Sequence, residues 1–296
     1  MNRPAFTVIG GYLGAGKTTL VNHLLTAAHG MRIAVLVNDF GEVNVDAALI
    51  ASHDGDTMSL ANGCMCCSLT NGFAQAINAV LERKTQMDAI VIEASGVAEP
   101  GRIAQYGQMY DLPLDGVITV ADAERIRDQA VNKYVGEIVM HQLVQADIIL
   151  LNKSDCVAGG ELGDVRNWLA SKAPGIPVLE TVRSNVPLDI LIGRGGSRQA
   201  TPGVPLRFAT TTNHEALHRT WVIRRDTPVR RAAISRLARR MGSHIFRAKG
   251  FINLAEDPEH RYLLQQVGQR WAIEEAGRWD SGTARTEIVC IGPRNG

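Results

Sequence analysis

Short runs of consecutive apolar residues recur through the first part of the chain, at 6–9, 33–37, 89–92, 116–120, 148–151 and 178–179, each followed by a stretch with helical spacing of apolar positions. Runs this short, without polar alternation, predict strands buried on both faces. Their alternation with helices predicts an α/β fold on a mostly parallel sheet flanked by helices. Ligands of such sheets gather at the carboxyl ends of the strands, so the chemistry is expected just after each run. The pattern stops at residues 194–205, a stretch rich in Gly, Pro and Ser that reads as a linker. Two domains are therefore expected, residues 1–195 and a smaller α+β unit at 206–292, joined by residues 196–205.

Composition narrows the class. The 296 residues are 45% hydrophobic and 21% charged, which suits a globular protein with a sizeable core. The net charge of +1 conceals an asymmetry: residues 206–250 hold ten Arg and Lys249 against Glu215 and Asp226. No apolar run approaches the roughly 20 residues that span a bilayer, and the first one comes too early for a secretory signal, so the expected compartment is the cytoplasm, with no membrane partner. Of five cysteines, Cys64, Cys66 and Cys67 fall within four positions, too close to staple distant parts of a fold. Metal or redox chemistry is the better starting point.

Immediately after the first run stands a complete G-x-x-x-x-G-K-T: Gly11, Gly14, Ala15, Gly16, Lys17 and Thr18, followed by Thr19. Glycines there let successive backbone N–H groups and the N-terminus of the next helix face phosphates. Lys17 is expected at the β/γ-phosphates and the Thr18 hydroxyl on a Mg²⁺ ion. A Gly-rich turn that merely packs a helix on a strand would not require the Lys-Thr pair. After the run 148–151 comes N-K-x-D: Asn152, Lys153 and Asp155. A carboxylate accepts from both the ring N–H and the exocyclic amine of guanine, a donor pair adenine lacks, so the expected nucleotide is GTP.

The run 89–92 ends in Glu93, with Gly96 three residues on. Glu93 is expected near the Mg²⁺ and its waters, and the Gly96 N–H at the γ-phosphate, making this a second switch; the plainer alternative is a helix cap. Residues 38–60, opening with Asn38, Asp39 and Glu42, would form the first switch. Between the two lie Cys64, Cys66 and Cys67, whose thiolates can supply most of a tetrahedral zinc shell, with Asp39, Glu42, His53 or His141 as further ligands. Cys64 and Cys67 also satisfy C-x-x-C, which keeps a redox reading open. Cys156 and Cys290 stand alone and are expected in the core.

The order and spacing of these four motifs resemble those of the CobW-like P-loop GTPases, relatives of the nickel-insertion GTPases of urease and hydrogenase maturation. Residues 245–252 also resemble the R-x-K-G strand of that family's C-terminal domain. The resemblance implies a GTP-dependent metallochaperone. Lys17 and Thr18 would bind MgGTP, Cys64, Cys66 and Cys67 would carry a cargo metal, Zn²⁺ or else Co²⁺, and a metal-requiring client protein would receive it. A homodimer is a further expected association, and a cobalt chaperone for cobalamin synthesis or a regulatory GTPase are the alternatives. Asp39 stands where many relatives have glutamate, and the histidine-rich stretch of many members is missing. Without a glutamine to orient the attacking water, intrinsic turnover is expected to be slow. The γ-phosphate and Mg²⁺ would order residues 38–60 and the turn after Ser95 around the thiolates.

Two features beyond the linker compete with this reading. Residues 214–218 match H-E-x-x-H, a zinc-hydrolase signature when helical, but the β-rich sequence around them favours an extended chain, where His214 and His218 would be about 13 Å apart. Residues 229–241 predict an amphipathic helix with Ile234, Leu237 and Met241 on one stripe and Arg230, Arg231, Arg236, Arg239 and Arg240 off it. No aromatic stacking series accompanies the arginines, so nucleic acid is not an expected partner. Trp221, Trp271 and Trp279 are expected to anchor the second core.

Overall fold

The computed structural model describes residues 4–27, 31–37, 77–78, 82, 87–193, 218–279 and 284–293. These form two compact units, one holding a six-stranded sheet and the other a five-stranded sheet.

The first sheet contains β1 (Ala5–Gly10), β2 (Ile33–Val37), β3 (Ala89–Glu93), β4 (Leu114–Asp122), β5 (Ile148–Asn152) and β6 (Val178–Thr181), in the spatial order β2-β3-β1-β4-β5-β6. The pairs β2–β3, β3–β1, β1–β4 and β4–β5 run parallel. Every residue of β3 and β5 is buried. That is why the sequence shows continuous apolar runs rather than alternation, since helices cover both faces. Around the sheet lie α1 (Lys17–Ala27), α2 (Pro100–Met109), α3 (Ile126–Val131), α4 (Gly136–Val144), α5 (Gly159–Lys172) and α6 (Leu188–Leu191). On one face, Phe6, Val8, Leu36, Ile90 and Ile92 pack with Ile103 and Ala104 of α2.

Register decides where function can lie. Ile9 pairs with Glu93, Val37 with Glu93, Gly10 with Thr119, and Asp122 with Asn152, so these strands all end along one edge. The chain leaves β1 for β2 and β3 on one side and returns to β4 on the other. The crevice at the end of β1 is therefore the switch point of the sheet, where ligands bind.

The second unit is an antiparallel sheet of β7 (His218–Arg225), β8 (Arg247–Asn253), β9 (His260–Val267), β10 (Arg270–Arg278) and β11 (Thr286–Pro293), in the order β10-β9-β8-β11-β7. It carries one helix, α7 (Arg231–Met241). Ile234 of α7 packs with Ile245, Ile252, Leu264, Ile288 and Cys290, and Trp221 and Trp271 close over that core. Trp279 does not join this cluster: it is half-buried, its backbone N–H donating to the Glu259 carbonyl. Gly250, of the R-x-K-G run, sits where a Cβ would come within 2.0 Å of the Glu287 carbonyl oxygen, so strand packing requires glycine there. The α7 arginines 236, 239 and 240 are exposed, as the stripe of apolar positions implies. The expected linker, residues 196–205, lies outside the described residues.

Candidate nucleotide site

The loop after β1 has the backbone of a phosphate cradle. Gly11, Gly14 and Gly16 adopt φ of +134°, +75° and +110°, conformations that a Cβ disfavours. At Gly11 a Cβ would also stand 2.2 Å from the Val120 carbonyl oxygen, and at Gly16 2.4 Å from Asn152 Nδ2. Gly14 faces open space. The first helical bond, from Leu20 N–H to the Gly16 carbonyl at 3.0 Å, starts α1 directly from the loop. No acidic residue occupies its first turn, so the positive end of the helix is not neutralised there. Lys17, 8% exposed, lies back over the loop with Nζ donating to the Tyr12 carbonyl at 3.3 Å.

Glu93, at the end of β3, meets the loop from the neighbouring strand. Thr18 Oγ1 donates to Glu93 Oε1 at 2.8 Å, with Glu93 4% exposed. A hydroxyl and a carboxylate side by side are hard oxygen donors of the kind Mg²⁺ takes, in a position next to the phosphate cradle. The plainer reading of Glu93 as a helix cap does not hold: α2 begins seven residues later, with Glu99 at its N-cap position. Ser95 Oγ is buried with no hydrogen-bond partner among the described residues, an orphaned donor beside Gly96 that suits a phosphate or a bound water. Gly96 itself lies against the loop: a Cβ there would stand 2.8 Å from Leu13 N.

The turn expected to read the base is built from β5. Asn152, 2% exposed, donates from Nδ2 to the Ala15 carbonyl at 2.8 Å, while its Oδ1 accepts from Ser184 N–H at 2.7 Å and Thr181 Oγ1 at 3.2 Å. Ser184 Oγ donates to the Gly16 carbonyl at 2.9 Å. Lys153 takes a left-handed φ of +60° and its Nζ pairs with Asp122 Oδ2 at 2.6 Å, at the end of β4. Ser154 Oγ donates to the Thr181 carbonyl. Asp155 then stands exposed on a single 3-10 turn, Ser154–Cys156.

The structure thus brings together Gly11, Gly14, Ala15, Gly16, Lys17, Thr18, Glu93, Gly96, Asn152, Lys153 and Asp155, with Thr19 following in α1. Thr181, Ser184 and Asp122 belong to the same site and escape the motif reading. The signal for Ser184 is the pair of left-handed non-glycine residues Arg183 and Ser184, at φ of +50° and +54°, which appears only in coordinates. Cys156 corrects an expectation: it is exposed, because the turn that presents Asp155 carries the next residue outward with it. Cys290 is buried as expected, and desolvation pushes its thiol up to about 12. Cys64, Cys66, Cys67, Asp39, Glu42 and His53 lie outside the described residues. Among the described residues no group of three or more His, Cys, Asp and Glu is arranged to hold a metal. His141 faces Glu99, with Nδ1 3.8 Å from Oε1. Of the H-E-x-x-H match, His218 opens strand β7, and 214–217 lie outside the described residues.

Comparison with known proteins decides the family. The model for the CobW/HypB/UreG nucleotide-binding domain matches residues 5–180, and that for the cobalamin synthesis protein cobW C-terminal domain matches residues 218–295. The chain belongs to the CobW/HypB/UreG family. Among relatives of this family, the zinc chaperone YjiA of Escherichia coli K12 is 32% identical over 307 residues, covering 99% of this chain and 95% of its own length. The zinc chaperone CobW of Pseudomonas aeruginosa is 32% identical over 329 residues, covering 97% and 86%. The crystal structure of Zn(II)-bound YjiA GTPase from E. coli aligns with a TM-score of 0.49 at 28% identity, covering 99% of this chain and 95% of that one. No helix among the described residues is long and apolar enough to cross a membrane.

Proposed function

We propose that this chain is a GTP-dependent zinc metallochaperone: a GTP hydrolase whose nucleotide state governs how firmly Cys64, Cys66 and Cys67 hold Zn²⁺ for delivery to a metal-requiring client in the cytoplasm. The observation that carries the nucleotide half is the meeting of Thr18, Glu93 and the loop, 2.8 Å from hydroxyl to carboxylate. Support for zinc comes from the two zinc chaperones that are 32% identical over nearly the whole chain. In this reading the loop N–H groups and Lys17 hold the phosphates, and Thr18 and Glu93 hold Mg²⁺ and its water. Bound Mg²⁺ supplies charge neutralisation at the transferring phosphoryl group. Asp155 reads guanine, while Asp122 fixes the Lys153 head group so that its aliphatic stem can lie against the base.

The C-terminal domain model, named for cobalamin synthesis, favours Co²⁺ as the second cargo to test. Zn²⁺ and Co²⁺ are titrated into the full chain with GDP, with a non-hydrolysable GTP analogue, and without nucleotide. Linkage requires that a nucleotide which tightens metal binding is itself bound more tightly, by the same factor, when metal is present. Cys66→Ser/Cys67→Ser should lose tight metal binding and keep nucleotide affinity. Equal metal affinity in all nucleotide states, or retention of tight binding by the double variant, sinks the carrier reading. A homodimer and the domain limits 1–195 and 206–292 complete the proposal, checked by sedimentation and limited proteolysis.

A further inference from the structure

Gly96 is gripped from α4 as well as lying against the phosphate loop. Gln142 of α4, 1% exposed, donates from Nε2 to the carbonyl oxygens of Gly96 at 3.0 Å and Ala98 at 2.9 Å. Thr119 of β4 donates to the backbone carbonyl of Gln142 at 2.8 Å, satisfying one of the carbonyls that the end of a helix leaves open. Three residues on, Gln145 Oε1 accepts from Gly101 N–H at 3.0 Å. The end of α4 therefore holds the whole passage from Gly96 into α2.

Glycine is the residue least able to fix its own backbone. The Gln142 bond holds the peptide plane that follows Gly96, and the Ser95 carbonyl, which shares the preceding plane with the Gly96 N–H, accepts from Ala98 N–H at 2.9 Å, so both planes flanking Gly96 are held within the one turn that Gln142 grips at Gly96 and Ala98. A donor held in place before the charge arrives needs no reorganisation to meet it. The Gly96 N–H is the group expected at the γ-phosphate, which GTP has and GDP lacks.

We propose that Gln142, a residue of no recognised motif, is a positioning residue for the γ-phosphate: its side-chain amide aims the Gly96 N–H and so sets the preference of the site for GTP over GDP. This rests on the GTPase reading above. The measurement is affinity of the full chain, with Mg²⁺, for a non-hydrolysable GTP analogue and for GDP, by calorimetry, alongside thermal midpoints. Gln142→Met keeps the length and removes the donor. It should weaken the analogue ~10-fold, the scale of one hydrogen bond to a charged group, with GDP affinity unchanged within about twofold. Gln142→Asn, one methylene too short to reach both carbonyls, gives the same readout should the Met variant not fold. Thr119→Val loosens α4 without touching the amide and should leave the ratio at the wild-type value. A parallel fall for both nucleotides, no change in either, or an equal shift in the ratio from Thr119→Val overturns the proposal. Failure of the wild-type chain to bind the analogue overturns instead the functional reading on which it stands.

Discussion

The Nδ2 amide of Asn152 donates to the carbonyl oxygen of Ala15 at 2.8 Å, across 137 positions of sequence. The same side chain accepts from Ser184 and Thr181 through Oδ1, so one buried amide joins the loop after β1, the turn after β5 and the segment at the end of β6. Asn152→Ala strands a buried carbonyl and two donors. It should cost about 1–3 kcal/mol of stability and weaken GTP and GDP alike, read by thermal melting and by calorimetry. Gly16→Ala attacks the same junction from the other side, with φ of +110° and a Cβ 2.4 Å from Asn152 Nδ2, and should abolish nucleotide binding.

The Thr18–Glu93 pair predicts a metal-dependent phenotype. Glu93→Gln keeps a hydrogen-bonding oxygen next to Thr18 Oγ1 but removes the negative charge. The Mg²⁺ concentration for half-maximal GTP turnover should rise ~10-fold or more, the usual effect of losing a partner around a metal. Turnover assayed across a Mg²⁺ series tests it, and an unchanged midpoint would remove Glu93 from the ion's surroundings.

Asp155 sits exposed at the tip of its turn, so its replacement should change selectivity and leave the fold alone. Asp155→Asn replaces two acceptor oxygens by one acceptor and one donor, which mismatches guanine and matches a xanthine carbonyl. GTP affinity should fall ~100-fold or more while xanthosine triphosphate gains, measured by competition binding.

Much of this machinery was legible in the sequence for a physical reason. Strands covered on both faces must be apolar throughout, so the run 148–151 announces Ile148–Asn152 almost to the residue, and the chemistry follows directly at Lys153 and Asp155. Gln142 was not legible. A polar pair, His141 and Gln142, between Met140 and Leu143 reads as an ordinary amphipathic helix position, and the partners of Gln142 lie 46 and 44 residues away. Its only trace is that it falls three residues after buried Val139, on the face turned inward. Cys156 misled because an isolated cysteine is usually buried, whereas its neighbour Asp155 has to face solvent.

The second unit should be sensitive to acid. The Asp257 carboxyl is held below its ordinary range, first by the hydrogen bond to His260 Nδ1 and next by the Tyr262 hydroxyl, which donates at 2.9 Å. A depressed folded value means the stabilisation is present above the unfolded pKa of about 3.9 and is lost as pH falls through the folded value. The urea midpoint of the wild-type chain, followed by tryptophan fluorescence, should therefore drop more steeply below pH ~4 than that of Asp257→Asn. Parallel acid profiles would deny the carboxylate this role.

Among the described residues strand β2 lies at one edge of its sheet, and the chain between its end at Val37 and the start of β3 at Ala89 contains all three clustered cysteines. β1 and β4, which flank the phosphate loop, pair with each other directly, and from within that excursion Ile77 and Met87 join the core beside Phe6 and Val8. Under the carrier reading proposed above, exchange of those cysteines for other ligands would change the freight while β1 and β4 keep their pairing. A common motor serving many metals is the evolutionary outcome that a peripheral point of departure permits.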